Sequence, residues 1–90
     1  MNITVELGGG LEYTYATQRL VLTCAGPTIR SLFAELRAQY PLLAITTPSH
    51  NIIPGILVLI NDCDWRIVGS YDALLQNSDI VSIISTIHGG

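Results

Sequence analysis

Apolar and polar residues alternate at the start of the chain, in the stretch NITVEL. Ile3, Val5 and Leu7 fall on one face of an extended segment, and the intervening polar residues fall on the other. The pattern predicts a strand with one buried face. Three glycines at positions 8–10 interrupt it, and a β-type pattern returns in RLVLTC, residues 19–24. We therefore expect a hairpin whose two strands are joined by a loose connection.

A helical period follows the second predicted strand. Apolar side chains recur at i, i+3, i+4, i+7 and i+11, which are the positions of Ile29, Leu32, Phe33, Leu36 and Tyr40. Thr28 is suited to cap the amino end of this helix, because its hydroxyl can accept a backbone hydrogen bond. Pro41 is expected to end the helix. The pattern predicts one amphipathic helix with its apolar stripe against the core.

The second half of the chain is predicted to be mainly strand. Residues 42–54 contain two prolines and little periodicity, which indicates a long connection with one short turn of helix. Residues 55–61, GILVLIN, predict a buried strand; NDCD predicts a turn and WRIV, residues 65–68, its return strand. Residues 70–79 are expected to form a short helical or turn segment. Residues 80–87, IVSIISTI, predict a central final strand, with apolar residues on both faces.

The predicted order of elements is β-β-α-β-β-β. One helix packed across a mixed sheet of four or five strands would bury the apolar faces of both layers. We therefore expect an α+β fold and a single domain over residues 1–90, whose last strand leads into a glycine tail at residues 88–90.

Composition and charge narrow the classes of function. The 90 residues are 49% hydrophobic and 12% charged, which is typical of a folded domain rather than a disordered segment. The net charge is −3, and no basic stripe is present to bind phosphates, so no direct nucleic-acid partner is expected. The four basic residues are all arginines: Arg19, Arg30, Arg37 and Arg66. The longest apolar run, ILVLI, is too short to span a bilayer, so no membrane partner is expected either.

The residues that could support catalysis or metal binding have simpler structural explanations. Cys24 and Cys63 lack metal-binding spacing from each other and from the histidines, so we expect free thiols in a reducing compartment and no metal site. Cys63, in a predicted turn, is expected to be the more accessible thiol. The glycines at positions 8–10 are interpreted as a flexible hairpin turn, because a phosphate loop also needs a Lys-Ser/Thr pair and a following helix. Asp62 and Asp64 are interpreted as turn residues that hydrogen bond to their own backbone.

The sequence ends in His88-Gly89-Gly90, and glycine is a poor residue for ending a strand. Four extended residues reach about 13 Å, far enough to carry a carboxylate into a narrow channel of another protein. A glycine pair would fit a channel that has room only for backbone. The pattern favours entry of His88 and Gly89 into such a channel, with the Gly90 carboxylate at its inner end.

Three segments resemble the ubiquitin-related modifier proteins of eukaryotes. They are residues 54–65 (PGILVLINDCDW), residues 72–90 (DALLQNSDIVSIISTIHGG) and residues 5–13 (VELGGGLEY). The resemblance spans nearly the whole chain and is loosest in residues 19–51. It implies a ubiquitin-like β-grasp fold, in which the first and last strands pair in parallel.

The resemblance also implies a function. The Gly90 carboxylate would be adenylated with ATP by a ubiquitin-activating-type adenylyl and sulfurtransferase enzyme, and then converted to a thiocarboxylate. The sulfur would go to the wobble uridine of cytosolic tRNAs through a separate tRNA thiolase complex, and the protein would also be joined to lysines of target proteins. The chain would thus be a monomeric sulfur carrier that binds no cofactor, not an enzyme. It is expected in the cytoplasm, with the nucleus left open as a second location.

Two alternatives remain. The small subunit of molybdopterin synthase is another β-grasp sulfur carrier that ends in Gly-Gly, and it would deliver sulfur to a pterin. A non-covalent ubiquitin-like docking module would have no need of a free Gly-Gly end. The segment LINDCDW fits the ubiquitin-related modifiers better than the synthase subunit.

Overall fold

The computed structural model describes residues 1–86 of the chain. These residues form one α-helix, three single-turn 3-10 helices and five strands: β1 (Asn2–Gly8), β2 (Arg19–Thr23), α1 (Ile29–Gln39), β3 (Ile56–Ile60), β4 (Cys63–Asp64) and β5 (Ile80–Ser85). The predicted order of elements is confirmed. Within residues 1–86, no helix combines the length and the apolar composition of a membrane span.

The five strands form one mixed sheet in the order β2-β1-β5-β3-β4. β1 pairs antiparallel with β2 and parallel with β5, and β5 pairs antiparallel with β3. The expected parallel pairing of the first and last strands is therefore confirmed. Parallel neighbours need a crossover, which here contains α1 and the whole middle of the chain. As a result, the last strand lies at the centre of the sheet.

The core lies between the sheet and α1. Thr28 caps α1 as predicted, with its Oγ1 accepting from the Ser31 backbone N at 3.3 Å. The predicted apolar stripe is buried at Ile29, Leu32, Phe33 and Leu36. These side chains share one buried cluster with the inward residues of β1, β3 and β5, which are Ile3, Val5, Leu7, Val58, Ile60, Val81 and Ile83. The predicted packing of helix on sheet is thus confirmed.

The predicted return strand at residues 65–68 is wrong. Asn61 and Asp62 have φ of 48° and 68° and form a two-residue turn, so that Ile60 pairs with Cys63 and β4 covers only Cys63–Asp64. Trp65–Ile67 is a 3-10 helix, because the Asp64 side chain accepts from the Arg66 N and caps the turn. The Trp65 ring is buried against Phe33 and Tyr71, with ring centroids 5.9 and 4.9 Å away.

Other differences concern connections and strand ends. The loop from β1 to β2 contains a 3-10 helix at Leu11–Tyr13, so a short helix does follow the glycines. The connection over residues 42–54 contains an isolated bridge between Thr46 and Ile52 but no turn of helix. The short helical segment expected within residues 70–79 is present as a 3-10 helix at Ser70–Asp72. β5 ends at Ser85, whereas the predicted strand continued to Ile87, which lies outside the described residues.

Candidate functional site

The predicted reactive residues His88, Gly89 and Gly90 lie outside the described residues. The part of the site that the structure describes is the end of β5 and residue Thr86, which follows it directly. Since β5 lies between β1 and β3, this end of the strand has a neighbour on each side. Gly9 follows β1 on one side, and Gly55 precedes β3 on the other.

Gly9 approaches the backbone of β5 too closely for any side chain. Its φ of 68° lies in the left-handed region, where glycine is favoured. A Cβ atom built on Gly9 would overlap the backbone carbonyl oxygen of Ser85. The neighbouring Gly10 has a φ of 109°, yet a Cβ atom there would meet no heavy atom within 4 Å. Gly9 thus allows the close contact with β5, so the interpretation of residues 8–10 as a merely flexible turn is incomplete.

Thr86 is held on the other side of β5 by Gly55. The Thr86 backbone N donates to the Gly55 carbonyl oxygen at 2.8 Å, and the Thr86 Oγ1 donates to the same oxygen at 2.6 Å. Gly55 has a φ of 95°, which again favours glycine at this position. The backbone hydrogen bond extends the β3–β5 ladder by one pair beyond Ile56 and Ser85. The hydroxyl adds a second hydrogen bond that the ladder itself does not require.

A shallow groove of about 330 Å³ lies beside Thr86, and its lining includes Pro54, Gly55, Leu57, Trp65 and Arg66. The Arg66 side chain is exposed but paired, because its Nη2 donates to the Asp64 Oδ2 at 2.7 Å. The hydrogen bonds from Arg66 lower the pKa of Asp64 to about 2. The prediction that Asp64 hydrogen bonds to local backbone is confirmed by the bond from the Arg66 N, at 2.9 Å. The two opposite charges at the edge of the groove therefore balance each other.

The two cysteines differ in exposure. Cys24 is buried in the core, and burial raises the pKa of its thiol, which disfavours the reactive thiolate. Cys63 is half-buried, and its Sγ donates to the Asp64 carbonyl oxygen at 3.7 Å. The prediction that Cys63 is the more accessible thiol is confirmed. In the part of the chain that the structure describes, no three His, Cys, Asp or Glu side chains are grouped as metal ligands.

Three residues of this region were not identified from the sequence: Gly9, Gly55 and Thr86. Glycines next to predicted strands were a visible signal, but they are common in turns of every kind. Their role depends on β5 lying between β1 and β3. That placement joins residues about 75 positions apart in the sequence, as in the pair Gly8 and Ile84.

Comparison with known proteins gives consistent matches over the full chain. A family model described as Urm1 (Ubiquitin related modifier) matches residues 2–90. A protein named Ubiquitin-related modifier 1 from Bos taurus is 39% identical over 99 residues, which cover 100% of this chain and 96% of that protein.

Solved structures show the same arrangement of helix and sheet. The solution structure of Urm1 from Trypanosoma brucei has a TM-score of 0.76 and 35% identity, and the match covers 99% of this chain and 95% of that chain. The crystal structure of SAMP1 from Haloferax volcanii has a TM-score of 0.84 at 15% identity, with 100% of both chains covered, and supports the fold alone. The β-grasp fold expected from the sequence is confirmed.

Proposed function

Because this chain belongs to the ubiquitin-related modifier family, we propose that it is a sulfur carrier and protein modifier whose reactive group is the carboxylate of Gly90. The observation that carries this proposal is the family match, which extends over residues 2–90 and so includes the glycine pair. The folded domain would be the part of the chain that a partner enzyme recognises. The chemistry would take place on the tail, which makes the chain a co-substrate of that enzyme.

The chemistry requires activation, because a carboxylate is a poor electrophile. In the proposed first step, the Gly90 carboxylate attacks the α-phosphate of ATP on a ubiquitin-activating-type enzyme, and pyrophosphate leaves. A persulfide sulfur of that enzyme then attacks the acyl carbon and displaces AMP. A second thiol of the enzyme then attacks the enzyme-side sulfur of the acyl disulfide and forms a disulfide with it, so that Gly90 leaves with the terminal sulfur as a thiocarboxylate. ATP is thus used by the partner enzyme, and this chain needs no bound cofactor.

The proposed recipient of the sulfur is the wobble uridine of cytosolic tRNAs, held by a separate tRNA thiolase complex. The surface charges support a separate RNA-binding partner. Three of the four arginines form ion pairs with carboxylates: Arg19 with Glu6, Arg30 with Asp72 and Arg66 with Asp64. Paired arginines offer little net charge to a phosphate backbone. A monomer in the cytoplasm, which is the location that we propose, would suit transfer between such partners.

The modifier role uses the same activated carboxyl group. The adenylate at Gly90 is also an acyl donor, so attack by a lysine amine of a target protein on its carbonyl carbon would give an amide bond and release AMP. Sulfur transfer and conjugation would then compete for one activated carboxyl group.

Deletion of Gly90 tests the proposal directly. We expect the free energy of unfolding to change by no more than about 0.5 kcal/mol, because Gly90 lies five positions beyond the end of β5. Activation should be abolished, because the carboxylate of Gly89 would lie about 3.5 Å short of the reaction centre. The measurements are the melting temperature, ATP-dependent thiocarboxylate formation by mass spectrometry, and thiolation of tRNA.

Asn77→Ala is the control variant and should keep full activity, because Asn77 lies in the turn before β5, at the opposite end of that strand from the tail. If the truncated chain still gains sulfur and supports thiolation, Gly90 is not the reactive residue. If it supports thiolation without gaining sulfur, the chain acts as a non-covalent docking module instead.

A further inference from the structure

In the isolated protein, without any bound partner, the end of β5 already contacts the residues next to both neighbouring strands. Gly9 permits the contact with the Ser85 carbonyl oxygen from the β1 side, and Gly55 accepts two hydrogen bonds from Thr86 on the β3 side. We refer to Gly9, Gly55 and Thr86 as the tail clamp. Both glycines have left-handed backbone conformations, with φ of 68° and 95°, so the clamp depends on residue type at both positions.

We propose that the tail clamp fixes the base of the reactive tail before the activating enzyme binds, and that Thr86 is a positioning residue for the activation of Gly90. This inference rests on the proposed function, because it concerns how the same carboxylate is presented. It assigns no chemical step to Thr86. The Thr86 hydroxyl lowers the conformational entropy that the tail loses when the enzyme binds it.

The physical reason is conformational entropy. An enzyme that binds the folded body and the tail together has to order every backbone residue that is free beforehand, and each such residue weakens binding. A fixed base removes residues 85 and 86 from that cost. The clamp lies at the base of the tail and would be intact in both the enzyme-bound ground state and the transition state. Its loss should therefore raise KM for this chain and leave kcat nearly unchanged.

A simpler explanation is that the Thr86 hydroxyl only stabilises the end of a strand. The two explanations differ in what they predict. A stabilising role would lower the melting temperature slightly and leave KM unchanged, because the folded protein would present the same tail. A positioning role would change KM even at temperatures where every variant is fully folded.

The first experiment compares Thr86→Val with Thr86→Ser. Valine keeps the branched shape and the backbone hydrogen bond but loses the hydroxyl, whereas serine keeps the hydroxyl. ATP–pyrophosphate exchange by the ubiquitin-activating-type enzyme of the same organism gives KM and kcat for each chain. We expect Thr86→Val to raise KM about three- to tenfold, the range set by one net hydrogen bond. Thr86→Ser should stay within about twofold of the original chain.

The matched control is Thr23→Val on the edge strand β2. The Thr23 Oγ1 also donates one hydrogen bond, to the Asn2 Oδ1 at 3.1 Å, and β1 separates it from β5. The chemical change is the same as at Thr86, so this variant should keep the original KM. The melting temperatures of all variants are measured alongside.

The second experiment compares Gly9→Ala with Gly10→Ala. Both glycines have positive φ, so both variants carry backbone strain, but only the alanine at position 9 would collide with Ser85. We expect Gly9→Ala to raise KM about tenfold and Gly10→Ala to stay within about twofold. If Gly9→Ala does not fold, the Thr86 variants decide the question.

The outcomes separate this inference from the proposed function. If Thr86→Val has the original KM, or if Thr86→Ser loses as much as Thr86→Val, the hydroxyl has no positioning role and the inference is overturned. That result would leave the proposed function intact as long as deletion of Gly90 abolishes activation. If the Gly90-deleted chain is activated normally, the proposed function fails, whatever KM the Thr86 variants have.

Discussion

Asp64 shows how one side chain organises its surroundings. Its Oδ1 accepts from the Arg66 backbone N and Nε at 2.9 and 3.1 Å, and its Oδ2 accepts from the Arg66 Nη2 at 2.7 Å. The side-chain hydrogen bonds from Arg66 are the largest cause of the lowered pKa, which is about 2. All three hydrogen bonds are strongest when the Asp64 carboxylate is charged.

Low pH should therefore lower the stability of the fold, in part because Asp64 becomes protonated. The pKa of Asp64 is lower in the folded chain than in the unfolded chain, where it is near 3.9. The stability that Asp64 contributes is fully present above about pH 4 and is lost as the pH falls toward 2. We expect the melting temperature of Asp64→Asn to fall less steeply between pH 4 and pH 2 than that of the original chain.

Thermal unfolding followed by circular dichroism from pH 2 to pH 6 measures this effect. Asp62→Asn, two residues earlier in the chain and exposed, is the matched control and should keep the slope of the original chain. Equal slopes for Asp64→Asn and the original chain would show that the hydrogen bonds to Arg66 have no effect on stability.

Among the elements, α1 combines a local start signal with a buried stripe. The Thr28 Oγ1 accepts from the Ser31 N, and the Ile29 N donates to the Ala73 carbonyl oxygen at 3.1 Å, which ties the helix start to the segment before β5. The first turn of a helix has backbone N–H groups without partners inside the helix. The Thr28 cap provides a partner for one of these groups, and the bond from Ile29 attaches the helix start to the segment before β5.

Loss of the Thr28 cap should destabilise the protein moderately. We expect Thr28→Ala to lower the free energy of unfolding by about 1 kcal/mol, because a backbone N–H near the helix start loses its acceptor. Urea denaturation of the purified protein measures the change. Thr28→Ser keeps the accepting oxygen and should lie close to the original chain; a loss equal to that of Thr28→Ala would mean that the methyl group, not the cap, is responsible.

For the whole molecule, the absence of lysine limits how conjugates can grow. The 90 residues contain four arginines and no lysine, so no side chain of this protein can accept the carboxyl group of a second copy through a lysine amide. The protein is thus suited to give its carboxyl group to others. The amine that remains in this chain is that of the amino terminus, whose Met1 N donates to the Cys24 carbonyl oxygen.

Conjugates should therefore carry separate single additions on their targets. Denaturing gels of conjugates formed in cells should show no ladder assembled through side chains of this chain. Trypsin cuts after Arg66, the last basic residue, so digestion should leave residues 67–90 attached only to target peptides. The same experiment with an Arg37→Lys variant is a control that supplies one amine on α1. Recovery of residues 67–90 attached to an internal peptide of the original chain would contradict the prediction.

The sequence alone determined most of the regular elements. Burial of one face imposes a period of two on β1 and of 3.6 on α1, and these periods can be seen in a short window of residues. The Thr28 cap could be predicted for the same reason, because a capping side chain bonds to backbone within one turn of the helix. The parallel pairing of β1 with β5 came with the family resemblance, because no local pattern specifies a partner so far away in the sequence.

Tertiary structure decided the path after β3 and the surroundings of the tail. Trp65, Ile67 and Val68 have side chains that favour strands, yet the Asp64 cap and the burial of Trp65 against Phe33 and Tyr71 produce a 3-10 helix instead. The roles of Gly9, Gly55 and Thr86 likewise exist only when β5 lies between β1 and β3. The physical reason is that local patterns record which faces are buried, whereas strand neighbours are chosen by packing of the whole chain.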